Sequence, residues 1–430
     1  MPPLTERLEP FSALVFDPGH AGPLDRLIAP PYDLIDRALQ DDLYRRSDHN
    51  VVRLELNREP DPYAAAAATL ARWRADGILK PLGRPAIYHY TQRFRHAGRE
   101  LVRVGLVARV RLDEFAEGTV LPHEHTFPKA KEDRLRLLAA TRLNVSSIFG
   151  LCPPHPPALA GLLEEVAARS PILRAVEDSG VIDEVRVIDD PAEVRIAQQA
   201  LATARILIAD GHHRYETALE YRRRRRAADP LNEGPPYDYV MMTLVAFDDP
   251  GLVILPTHRV VRHLADDRLA AFEQRLVESF VAEDIDDPSR LLAALEGHGR
   301  GAFGVALRGR SRLKFVKLKA RDSVGLETLL ADVAPELRAL DVTVLHTLIF
   351  DRILGLTAAE IRRGGNVEYT IDARYALAEV ASGRADAAFL MNPPTIAEVE
   401  RVSVAGSTMP EKSTYFFPKL VTGMLLNPLD

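Results

Sequence analysis

The sequence predicts a mixed α+β protein. Short apolar runs of strand length alternate with longer amphipathic stretches of helix length. The two kinds intermix along the whole chain instead of segregating, and Gly and Pro punctuate the joints between them. There is no internal repeat and no long low-complexity tract. At 430 residues the chain has material for two to four domains and a sizeable core.

The elements follow in order. DPYAAAAATLARWRADGIL (61–79) is predicted helical, because its alanines are the best helix formers. AIYHYTQRFRHAGRELVRVGLVARVRL (86–112) alternates apolar and polar residues and predicts a hairpin turning at His96-Ala97-Gly98. PPHPPAL (153–159) reads as a loop or linker. Helices are expected over 158–169 and over 191–202, the latter with Pro191 in its first turn. Strands are expected at 185–189, 205–209, 237–247 and 252–256, with a helix over 213–228. Further helices are expected at 266–280, 289–297 and 339–355, and a hairpin at 301–319. The tail reads as helix, strand (386–392), helix (395–406), loop and a last strand.

Composition narrows the function. Hydrophobic content of 47% and charge of 27% fit an ordinary soluble protein. A net charge of −6 counts against a dedicated nucleic-acid binder. The one cysteine, Cys152, excludes an internal disulfide and a Cys-rich zinc site, and reads as a small buried hydrophobe. MPPLTERLEPFSALVF at the start places charges inside its apolar region, unlike a signal peptide. The longest apolar run, VMMTLVAF (240–247), falls short of the roughly 20 residues a bilayer requires. A cytoplasmic protein without a membrane partner is expected.

Three motifs carry chemistry. In RILIADGHHRYETALE (205–220), Asp210 and Gly211 follow a strand directly, and His212, His213 and Arg214 open a helix. Gly supplies the positive φ that a sharp strand-to-helix turn needs. The helix start offers unpaired N–H groups and the positive end of a dipole, which together welcome an anion. Arg adds a two-pronged grip. The pattern reads as a phosphate cradle without Walker spacing; the plain alternative makes Asp210 a helix cap and the histidines turn residues. RRRRR (222–226) points around most of the same helix and reads as a solvated end whose cations suit the dipole.

LPHEHTFPKAKEDRL (121–135) gathers His123, Glu124, His125, Lys129, Lys131, Glu132, Asp133 and Arg134. It admits a general base, Glu124, among cations that meet phosphate. It also admits a metal site through His123 and His125, or an exposed charged loop. The spacing matches no established metal motif. MPEKSTYFFP (409–418) sets Lys412, Ser413, Thr414 and Tyr415 between two prolines. Lys with hydroxyls suits phosphate or carboxylate oxygens, and an ordinary turn with incidental hydroxyls fits as well. FFPKL then reads as an apolar anchor.

Together and in this order, the motifs resemble the ADP-dependent free-serine kinases of the ParB/sulfiredoxin-like fold. Asp210–Arg214 match the DGHHR nucleotide signature, and Pro122-His123-Glu124 matches the PHE tripeptide whose Glu is the base. ADAAFLMNPPTIAEVERV (385–402) with the tail loop is similar to the region that handles phosphorylated substrate. LPTHRVV (255–261) resembles a substrate-side strand. Over its full length the chain resembles a bacterial family of unknown function sharing IAPPYD (28–33), NVVRLEL (50–56), ADGHHRYE and EKSTYFFPKL. Thr414 and Tyr415 depart from the Arg and His of the kinase loop.

The resemblance to the kinase covers roughly residues 116–430; residues 1–115, an N-terminal α+β region by their own pattern, have no counterpart in it. The resemblance implies a ParB/sulfiredoxin-like nucleotide-binding core (116–262, with an insertion near 153–200). A C-terminal α/β domain (263–430) would contribute the substrate loop. It implies phosphoryl transfer between ADP or ATP, with Mg²⁺, and a small hydroxyl compound, L-serine first, in either direction. Glu124 and His123 are then the catalytic candidates, and Asp210, Gly211, His212, His213 and Arg214 hold the nucleotide. Lys412, Ser413, Thr414 and His258 hold the substrate. No resident metal site is expected. A ParB-like nucleotide switch without phosphotransfer is the alternative, and a metal-dependent hydrolase is a third. The donor, the direction and the oligomeric state are left open.

Overall fold

The computed structural model describes residues 7–124, 128–228, 234–318 and 328–430. The chain divides into two compact units. The first comprises 1–122, 126–253 and 418–430, and the second 123–125 and 254–417.

A nine-stranded mixed sheet organises the first unit. Its strands run in the order Val120–Leu121, Ile206–Asp210, Ile148–Cys152, Tyr239–Ala246, Arg99–Arg111, Ile87–His96, Ile182–Ile188 and Leu173–Val176, with Leu8–Glu9 paired to Arg99–Arg111. Most neighbours are antiparallel. Ile206–Asp210 runs parallel to Val120–Leu121, and Tyr239–Ala246 parallel to Ile148–Cys152. The expected hairpin forms, with Ala97 (φ 47°) and Gly98 (φ 76°) as its two turn residues, the positive-φ pair a tight hairpin favours. Helices Pro157–Ala167, Pro191–Leu201 and His212–Ala228 bury Leu159, Leu163, Val166, Leu201, Tyr215 and Leu219 with the sheet.

A second core in this unit gathers residues 14–79 around Trp73, which is 1% exposed, with Leu143, Val145 and Leu426. Trp73 meets the Phe16 ring edge-on at 5.7 Å. Cys152 is buried, and desolvation pushes its thiol up to about 12, so it packs as the small hydrophobe expected.

The second unit is built on a six-stranded antiparallel sheet. Its order is Phe280–Ile285, Leu313–Leu318, Ala302–Leu307, Ala387–Met391, His258–Val261 and Val367–Thr370. Val260, Leu291, Leu295, Phe315, Val380 and Leu390 form its core. The helix expected over 339–355 is a short α-turn, Asp341–Val344, continued by a π-helix, Leu345–Ile353.

The mixed α+β class holds throughout, but the domain boundaries fall elsewhere than expected. Strands at 87–96 and 99–111 lie in the middle of the nine-stranded sheet. Their ladders to 182–188 and 239–246 tie residues before 115 into the same unit as the segment after it. The expected boundary at 262/263 comes after His258–Val261, a strand already inside the second sheet. The 153–200 insertion supplies two helices and the strand pair 173–176 and 182–188 at one sheet edge. Among the described residues, no helix is long and apolar enough to cross a membrane.

Candidate functional site

In the first unit, the strand Ile206–Asp210 delivers Asp210 to the start of the 17-residue helix His212–Ala228. Gly211 makes the turn at φ 97°, and a Cβ there would lie 3.0 Å from the Arg214 guanidinium. A side chain at 211 would therefore be strained in backbone and would crowd the cation. Arg214 donates from Nη2 to Asp210 Oδ2 at 2.8 Å and from Nη1 to the Ser147 carbonyl at 2.6 Å. His212 is buried, and His213 and Arg214 are half-buried.

Asp210 has a second cation. Lys419 Nζ donates to its Oδ1 at 2.6 Å. The backbone around Lys419 is clamped from the sheet: Gln92 Nε2 donates to the Lys419 carbonyl at 3.0 Å and Arg103 Nη2 to the Pro418 carbonyl at 2.5 Å. The FFPKL tail thus supplies a charged group as well as the expected apolar anchor. Sequence reasoning missed Lys419, whose role depends on Gln92 and Arg103 more than 300 residues away in the chain.

The N-terminal motifs also reach this site. Glu55 of NVVRLEL pairs with Arg134 at 3.0 Å, and Arg134 sits 4.4 Å over the ring of Tyr32 from IAPPYD. Burial pushes the Tyr32 phenol up to about 12, and Arg214 and Arg134 pull in the opposite direction. Glu55, Arg134, Ser146, Arg214 and Thr217 line a cavity of about 50 Å³. Within the described residues, Arg214 Nε and Glu55 Oε2 are buried without hydrogen-bond partners. RRRRR is paired more than the dipole argument implied: Arg222 and Arg223 bind Glu114, Arg224 binds Glu220 and Arg226 binds Asp238.

The second unit holds the PHE residues and the tail loop together. Met409 N donates to the His123 carbonyl at 2.8 Å. Three donors converge on Glu124 Oε1: Ser413 N at 3.1 Å, Thr414 N at 3.2 Å and Thr414 Oγ1 at 3.2 Å. His123 is fully buried, with Nε2 2.8 Å from Thr414 Oγ1 and its ring edge-on to Phe416. Ser413 Oγ donates to the Pro410 carbonyl. Of the two hydroxyls expected to meet substrate, that of Thr414 orients the carboxylate of Glu124 and that of Ser413 closes its own loop onto Pro410. Ser413 reaches Glu124 through its backbone N–H. Lys412 adopts φ 55°, an uncommon conformation for a non-glycine residue.

His258 lies inside its sheet, 2% exposed, where Nδ1 accepts from Met391 N at 3.3 Å. Burial, then the Arg259 charge, lowers it to about 4. It is a neutral backbone partner, and the residue beside it, Arg259, faces the loop. Arg259 Nη2 donates to the Lys412 carbonyl at 3.2 Å, and Nη1 donates to the Thr257 carbonyl. Sequence reasoning stopped one residue short of it. His125 and the Lys129 side chain lie outside the described residues. Among the described residues, no cluster of three or more metal-ligating side chains occurs.

A family model for a protein of unknown function, DUF1015, matches residues 8–343. The chain belongs to this family. No curated protein matches the DUF1015 sequence. Among solved structures, a conserved hypothetical protein from Pyrococcus furiosus is 15% identical, with a TM-score of 0.36 over 75% of this chain and 95% of that one. A mutant free serine kinase in complex with AMP is 13% identical, with a TM-score of 0.38 over 74% and 91%. A C-terminally truncated SbnI from Staphylococcus aureus is 12% identical, with a TM-score of 0.37 over 75% and 87%. At these scores the functional argument rests on the residues of the DUF1015 chain itself.

Proposed function

We propose that this chain is a small-molecule phosphotransferase: a nucleotide-dependent kinase acting on the hydroxyl of free L-serine, able to run in reverse from O-phosphoserine. The observation that carries the reading is the cradle of the first unit. A left-handed glycine opens a long helix, and a guanidinium and an ammonium gather on one carboxylate beside it. First-turn N–H groups, the helix dipole and two cations suit the phosphates of ADP or ATP. Gly211 keeps a Cβ from crowding the Arg214 guanidinium.

Mg²⁺ supplies charge neutralisation on the phosphate oxygens in reactions of this class. It is commonly held by one or two carboxylates, water and the phosphates themselves; with both oxygens of Asp210 engaged by Arg214 and Lys419, Asp210 would meet it through a bound water. The acceptor assignment comes from the resemblance of the PHE and DGHHR motifs to free-serine kinases. Glu124 takes the hydroxyl proton as the serine oxygen bonds to phosphorus and the donor oxygen–phosphorus bond breaks. Thr414 and the Ser413 backbone hold the Glu124 carboxylate in orientation, and His123 holds Thr414. Positioning and charge neutralisation do most of the catalysis, because phosphoryl transfer leaves little covalent work to the protein.

The test is to incubate the full chain with Mg²⁺, L-serine and either ADP or ATP, and to measure O-phosphoserine by mass spectrometry beside Glu124→Gln. Product from the wild type and loss in the variant is the expected result. A second reading, a nucleotide switch without chemistry, draws on Asp210, whose two cations would change partners when phosphate arrives. Saturable nucleotide binding without product from any hydroxyl compound would favour it.

A further inference from the structure

Arg259 carries a buried charge whose partners do not balance it. The residue is 0% exposed. Its hydrogen bonds go to the Thr257 and Lys412 carbonyls and to Met391 Sδ at 3.3 Å, and its guanidinium lies 5.2 Å over the Tyr369 ring. All of these partners are neutral. Among the described residues, Arg259 Nε has no hydrogen-bond partner. Burial lowers the guanidinium to about 10, which leaves it charged at neutral pH. A buried charge is costly unless an anion is bonded to it.

Its surroundings are polar and also unmatched. Thr257 Oγ1, two residues upstream, and His346 Nε2 are buried without partners among the described residues. His346 stands in the π-helix and feels the Arg259 charge, which adds to burial in lowering it to about 3. π-helical turns are frequent at functional sites. The group that covers the fork is the carbonyl of Lys412, the residue at positive φ, and strain of that kind also concentrates at such sites.

We propose that Arg259 receives the carboxylate of the acceptor substrate, through its Nε–Nη2 edge, when the Lys412 carbonyl moves off. The identity of the acceptor as a hydroxy acid rests on the kinase reading above; the anion site itself does not. The Nε–Nη2 edge is a planar pair of donors that fits a carboxylate with two parallel bonds. Charge favours a monoanion over a phosphate dianion. His258 and His346 are neutral, Glu124 adds negative field at Arg259, and the charges of Glu411 and Lys412 oppose one another beside Tyr369. Among these described residues, Arg259 is then the one cation not cancelled by a neighbour of its own segment, and the Glu124 field acts against the second charge of a dianion.

The experiment is ligand-observed NMR on the full chain with L-serine and L-serinamide as probes. It compares wild type, Arg259→Lys and Arg259→Met, with thermal melts to report folding. The wild type should bind L-serine and bind serinamide about tenfold or more weakly. Arg259→Met should weaken L-serine by about tenfold or more, and Arg259→Lys should fall between, keeping charge but losing the fork. Equal binding of serinamide and serine to the wild type would overturn the proposal, as would no binding of L-serine to it. If Arg259→Met does not fold, undiminished serine binding by Arg259→Lys overturns it. Arg259-dependent serine binding without phosphoserine formation sinks the kinase reading and leaves the carboxylate site standing.

Discussion

Arg214 in the first unit and Arg259 in the second make an instructive pair. Both are withdrawn from solvent, and both have a buried Nε without a partner among the described residues. Arg214 has its anion built in, since Asp210 bonds it at 2.8 Å and Lys419 shares that carboxylate. Among the described residues, the direct contacts of the Arg259 guanidinium are carbonyls, a thioether and a ring, with Glu124 acting on it only through its field. A ligand at Arg214 must share cations already paired, which suits a polyanion such as nucleotide phosphate. At Arg259 a single carboxylate supplies what the fold does not.

The largest effect should come from Glu124→Gln, which removes the base while leaving both arginines. Steady-state kinetics should show kcat reduced by about 10²–10⁴, with nucleotide affinity measured by calorimetry unchanged. Trp73→Ala should cost about 3–5 kcal/mol of stability in chemical denaturation, through the core of the first unit. A matching loss of serine binding under native conditions would blur the comparison between the units.

Arg214→Ala should weaken ADP by roughly 10–100-fold, from the loss of a charge-assisted bond, and leave L-serine binding unchanged. Arg259→Met should do the reverse. Titrations showing both ligands lost in both variants would break the distinction. Lys419→Met should weaken ADP less, by about tenfold, because an ammonium lacks the fork.

The smallest effect concerns pH. Burial and mutual repulsion raise the carboxyl of Glu177, and burial raises that of Asp183, which accepts from Tyr90 and Gln92. The folded state keeps a proton that the unfolded chain releases above the ordinary carboxylate range, about pH 4. Stability should therefore fall as pH rises from about 5 toward 8. Melting curves should show this slope in the wild type and a flatter one in Glu177→Gln.

The hairpin at Ala97-Gly98 was legible because its turn residues and alternation are local. The cradle was legible for the same reason: Asp210 through Arg214 are contiguous. Ile148–Cys152 was not read as a strand, being a short apolar run without alternation next to a proline-rich segment. Its place in the sheet depends on contacts such as those that leave no room for a Cβ at Gly150, 2.8 Å from Leu244. The π-helix reads as an α-helix because both bury one apolar face. Lys419 and Arg259 acquire meaning only through partners distant in sequence, and His258 drew attention by its chemistry while its neighbour held the charge.

The most direct test of the account is phosphorus NMR of the purified full chain with Mg²⁺, L-serine and either ADP or ATP. The account predicts a phosphoserine resonance growing as the donor signal declines. Nucleotide signals that broaden on binding yet yield no phosphoserine with either donor would contradict it.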